Sequence, residues 1–99
     1  MSAVTVTVTL GERCRRLLKQ LLARAYALNV MHPECGFVIP VYRPSRIRDV
    51  RDFRVMYRTL ERCLAKVWPF FSYSYIGNYK RIVIVHGISL TEFKKRAGL

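Results

Sequence analysis

Acidic residues are scarce. Six Asp and Glu stand against eighteen Lys and Arg, a formal charge of +12 on 99 residues. So few carboxylates cannot neutralise the cations from within, and part of the basic charge must face solvent or an anionic partner. Long apolar runs are also missing: stretches such as Ile82 to Val85 fall far short of the roughly 20 residues that a membrane-spanning helix needs. The five glycines are scattered, which excludes a Gly-rich phosphate loop. Residues 1–10 lack the basic start and apolar block of a secretory signal. Three cysteines, Cys14, Cys35 and Cys63, are an odd number at wide spacing. That pattern argues against a disulfide framework and for a reducing, intracellular (cytoplasmic) location. The amide residues are only Asn29, Asn78 and Gln20, and arginine outnumbers lysine thirteen to five, which suits a thermostable protein, although the cysteines and three methionines argue the other way.

What is present points to a folded chain. A hydrophobic fraction of 52% excludes intrinsic disorder, and the length suits one domain spanning residues 1–99. Residues 3–10 alternate Val or Leu with Thr, the pattern of a half-buried strand. A helix is expected from Glu12 to Asn29. Its Cys14, Leu17, Leu18, Leu21, Leu22, Ala25 and Leu28 share one face, and Arg13, Arg15, Arg16, Lys19 and Arg24 the other. Pro33 and Gly36 mark a loop, and Phe37 to Tyr42 form a strand that Pro40 places at a sheet edge. A second helix runs from a Ser45 N-cap to about Val67, with Asp49 and Asp52 near its start. Phe70 to Ile76 and Tyr79 to His86 form a hairpin around Gly77-Asn78. Because Ile82 to Val85 shows no polar alternation, that last strand is expected to be central and buried on both faces. Cover for its second face comes either from a C-terminal helix, capped by Ser89 and closed by Gly98, through Leu90 and Phe93, or from a second copy of the chain. The resulting class is α+β: a two-layer sandwich with two long amphipathic helices on a mixed or antiparallel four-stranded sheet, in the order β-α-β-α-β-β-α.

The second helix is the most informative segment. At 100° per residue, Arg48, Arg51, Arg54, Arg58, Arg62 and Lys66 fall within about a 120° arc. Opposite them lie Val50, Phe53, Met56, Tyr57, Leu60, Leu64 and Val67. The fifteen steps from Arg51 to Lys66 cover roughly 22 Å. Like charges at i, i+4 cost a few tenths of a kcal/mol each, so stability alone does not favour such a ridge. A row of guanidinium forks matches the repeating charge of a phosphate backbone. The expected partner is therefore DNA or RNA, met by the duplex backbone without enzymatic action. The alternative is a homodimeric interaction module, motivated by the apolar strand Ile82 to Val85. Membrane insertion, a small-molecule substrate and a cofactor are not expected.

Phe71, Tyr73 and Tyr75 share a strand face that suits base stacking but fits cross-strand packing better. His32 and Cys35 have the spacing of two loop ligands, yet zinc sites usually show two such pairs, so no metal is expected. Cys14 and Cys63 read as buried small hydrophobes. His86 is the best-placed general acid or base, without a nucleophile motif beside it. The segment from Lys80 to Gly87, followed by Lys94-Lys95-Arg96, resembles the end of the RelE-type toxin ribonucleases. The resemblance implies messenger-RNA cleavage with Lys80, Arg81 and His86 in view. The chain departs from that family by placing the Phe37 to Tyr42 strand between its first two helices.

Overall fold

The computed structural model describes residues 7–28, 36–42, 47–76 and 80–99. They form a small α+β domain: three helices and a four-stranded antiparallel sheet. In chain order these are α1 (Glu12–Leu22), β1 (Tyr26–Ala27), β2 (Gly36–Tyr42), α2 (Ile47–Val67), β3 (Phe71–Ile76), β4 (Lys80–His86) and α3 (Leu90–Arg96). The strands lie in the order β1-β2-β4-β3.

Two elements at the N-terminal end differ from expectation. Residues 3–6 of the expected opening strand lie outside the described residues, and residues 7–10 join no ladder. The Val8 N–H instead donates to the Arg96 carbonyl at 2.7 Å, one of the carbonyls left open at the end of α3, while Leu10 enters the core. Alternation thus marked an extended, half-buried chain but not its partner. The first helix stops at Leu22 rather than Asn29. Its burial is complete with Cys14, Leu18 and Leu22. Leaving the helix lets Tyr26 and Ala27 pair with Val38 and Phe37, and the Leu28 N–H reach the Gly36 carbonyl at 3.0 Å. Pairing with β2 outweighs helix propensity here. Among the described residues the element order is α-β-β-α-β-β-α, with one long helix.

The register explains Pro40. Since the Gly36 carbonyl faces β1, the backbone groups of every second residue after it, Pro40 included, also point away from β4. The two-residue β1 ends before that point, so the missing N–H of Pro40 costs no ladder bond. β2 is therefore internal at its start and an edge only from Pro40 onward. Gly36 itself has φ 140, and a Cβ there would collide with the Val85 carbonyl.

The core lies on one face of the sheet. Phe37 and Phe71 flank Val85, and Ile39 and Tyr73 flank Val83. Phe37, Ile39, Val83 and Val85 meet Leu18 and Leu22 of α1, Leu60 and Leu64 of α2, and Phe93 of α3 in one apolar cluster. Phe93 packs edge-on against Phe37, ring centroids 5.2 Å apart. α3 is begun by Ser89, whose side chain accepts from the Glu92 N–H at 3.1 Å. It is closed by Gly98 at φ 69, with Gly98 and Leu99 donating to the Lys95 and Lys94 carbonyls. This helix lies on the same face as the others and does not cover the second face of β4. Ile82 and Ile84 on that face stay partly exposed, so β4 is central but not buried on both sides.

Cys14 and Cys63 form a disulfide between α1 and α2, with Cα atoms 5.5 Å apart. Both are buried, as expected, but they are bonded rather than free thiols. Each lies on the apolar face of its helix, and packing those faces together brings the pair within bonding range. The bond removes the ground for expecting a reducing environment. Ser45, Gly77, Asn78, His32 and Cys35 lie outside the described residues.

Candidate functional site

α2 divides its faces sharply. Phe53, Tyr57, Leu60, Cys63, Leu64 and Val67 are buried, whereas Arg51, Arg54, Arg58, Arg62 and Lys66 are exposed. The spacing i, i+3 and i+4 puts neighbouring cations one helical turn apart along the outer surface. Arg48 belongs to the same helix, but its side chain lies outside the described residues. Among the described residues, no ion pair or side-chain hydrogen bond engages Arg51, Arg54, Arg58, Arg62 or Lys66. α1 adds exposed Arg13, Arg15, Arg16 and Lys19. Of these, Arg16 reaches Glu12 at 3.2 Å, a fully solvated i, i+4 pair of small worth.

Between the two helices runs an open cleft of about 540 Å³. Arg13 and Arg16 stand on the α1 bank, Asp52 and Thr59 on the α2 bank, and Leu17 and Met56 line it between them. Val55, on the α2 side, is 55% exposed.

Burial first, and then the negative charge of Glu61, hold the Tyr73 phenol above its usual range. Tyr57 is pushed up to about 12, chiefly by burial, against the opposing charge of Arg81. The Arg81 guanidinium lies 4.9 Å over the Tyr57 ring. Tyr73 in turn contacts Tyr57 and Phe71, at 5.4 and 5.9 Å between centroids. Phe71 and Tyr73 of the β3 aromatic row thus pack on each other, and Tyr73 on α2 while remaining 44% exposed; the Tyr75 side chain lies outside the described residues.

His86 acquires a partner that the sequence did not suggest. Ser72, from the neighbouring strand, places its Oγ 2.8 Å from His86 Nε2, and the Trp68 indole donates to the His86 carbonyl. Only the register reveals this diagonal neighbour: Ser72 pairs with Ile84, two residues before His86. Arg81 and His86, five residues apart on one strand, project from opposite faces of the sheet. Arg81 joins the α2 side and His86 the opposite side, so the two do not converge on one reacting centre. The Lys80 side chain lies outside the described residues. Among the described residues there is no cluster of three or more His, Cys, Asp or Glu able to hold a metal, and no helix long and apolar enough to cross a membrane.

No protein-family model matches the chain, and neither the curated proteins nor the solved structures provide a significant match.

Proposed function

We propose that this is a small basic nucleic-acid-binding protein, without enzymatic activity, whose α2 arginine face contacts the phosphate backbone of DNA or RNA. One observation carries the reading. Five cations of a single helix face outward, unpaired among the described residues, in a chain with six acids to balance eighteen cations. Guanidinium groups held in a row by a rigid helix meet successive phosphates without reorganising. Such contacts position a protein on nucleic acid but do not specify a base sequence. A cytoplasmic location goes with this reading only for a thermostable protein, since a buried disulfide such as Cys14–Cys63 persists inside cells mainly in hyperthermophiles. The low amide content agrees with such a thermostable protein.

The test is a mobility shift at low salt with duplex DNA and with structured RNA. Wild type is expected to shift both, and the Arg54→Ala, Arg58→Ala, Arg62→Ala triple variant to shift them markedly less. An unaltered shift in the triple variant would remove the ridge from the account.

A second reading is supported by a separate observation. Ile82 and Ile84, partly exposed, lie beside Pro40 and the buried Val38 on the sheet face opposite the apolar cluster. An apolar sheet face of this kind suits a symmetric contact with a second copy of the chain. Light scattering distinguishes the two: a dimer that ignores DNA and RNA at low salt favours the homodimeric interaction module.

A further inference from the structure

We infer that the cleft between α1 and α2 receives one unstacked base of a single-stranded nucleic acid, with the phosphates on either side held by the surrounding arginines. This rests on the proposed phosphate contacts of α2 and adds the form of strand preferred. The cleft volume of about 540 Å³ lies within the range of small-ligand sites. Its wall includes a large apolar side chain at the surface: Val55, 55% exposed, sits among the cations of the outer side of α2, next to Arg51 at i−4 and Arg58 at i+3. With Leu17 and Met56 it makes an apolar slot in a strongly basic surface.

Charge decides what fits. Within the cleft, Arg13 and Arg16 are balanced by Glu12 and Asp52, so the slot is neutral, while Arg51, Arg58 and Arg62, exposed on the α2 surface beyond its lining, are cationic. An occupant that is uncharged at its centre and anionic at its flanks matches this distribution. A base between two phosphates has that form. An acidic helix lying in the cleft would instead bring carboxylates against Glu12 and Asp52.

The polar groups suit a base edge. The Thr59 hydroxyl donates to the Val55 carbonyl at 2.9 Å, which leaves its oxygen free to accept. Asp52 accepts from an exocyclic amino group and repels a carbonyl edge, favouring cytosine, adenine or guanine over thymine or uracil. The guanidinium planes of Arg13 and Arg16 can stack on a base. In a duplex the bases are stacked out of reach, so only the phosphate contacts remain.

The test compares fluorescence anisotropy of short oligo(dC) with that of an equally long abasic strand, using wild type and Val55→Gln. Val55 is exposed, and glutamine favours helix, so the variant keeps its helical circular dichroism. Wild type is expected to bind oligo(dC) about tenfold more tightly than the abasic strand. Val55→Gln is expected to lose that preference while its abasic affinity stays the same. Equal wild-type affinity for the two strands, or a preference untouched by Val55→Gln, would overturn the slot and leave the phosphate ridge standing. Binding to neither strand at low salt would overturn both. An acidic amphipathic peptide that binds more tightly than oligo(dC), and loses this in Val55→Gln, would assign the cleft to a protein partner.

Discussion

Breaking the Cys14–Cys63 bond is the most quantitative perturbation the fold offers. The bond joins residues 49 apart in sequence, so it closes a loop of half the chain. In the chain-entropy account, a loop of that length restricts the unfolded ensemble by about 4 kcal/mol. That is a large share of the roughly 5–15 kcal/mol that stabilises a typical domain. For a chain of this size the corresponding fall in melting temperature is roughly 15–30 °C. The assay is thermal and guanidinium unfolding by circular dichroism on oxidised protein, on reduced protein and on Cys14→Ala/Cys63→Ala. The alanine variant should lose at least as much as reduction, because both sites are buried and truncation there leaves a small cavity. Under denaturing conditions the oxidised protein should take at most one alkylating group per chain, and the reduced protein three. Three reactive thiols before reduction, or a midpoint that ignores reduction, would refute the reasoning.

Three further outcomes follow from particular residues. Gly36→Ala forces a side chain into φ 140 and onto the Val85 carbonyl, with a cost of roughly 1–3 kcal/mol from backbone strain alone. Gly11→Ala, with open space around its Cβ, should stay within about 1 kcal/mol of wild type in the same melts. Tyr57 ionises at about 12 in the fold against 10.0 when unperturbed, so the unfolded chain loses its proton first. Its contribution to stability is complete below about pH 10 and is lost as pH rises toward 12. Alkaline unfolding with phenolate absorbance should therefore be less steep in Tyr57→Phe, and equal steepness would contradict the burial argument.

The legible parts of this fold are those fixed by local chemistry. The span of α2 and the separation of its arginines from Phe53, Leu60 and Leu64 follow from a 100° periodicity held over 21 residues. The β3–β4 pairing and the Ser89 cap and Gly98 stop of α3 follow from residue types at fixed offsets. What escaped depends on partners distant in sequence. Tyr26 and Ala27 continue a helical pattern and become a strand only because β2 offers open backbone groups. Val8 alternates like a strand residue, yet its partner is the end of a helix. The meeting of Cys14 with Cys63, and of Ser72 with His86, depends on helix packing and strand register, neither of which spacing encodes. The α1–α2 cleft arises the same way, from two amphipathic helices whose relative placement only the folded chain supplies.

The central claim is that the outward cations of α2 meet phosphates, and counterion release measures this directly. Each phosphate neutralised on duplex DNA contributes about −0.9 to the slope of log K against log salt. Titrating salt against the affinity of wild type and of Arg54→Ala/Arg58→Ala/Arg62→Ala should give a variant line shallower by about three. Parallel lines for the two proteins would contradict the account.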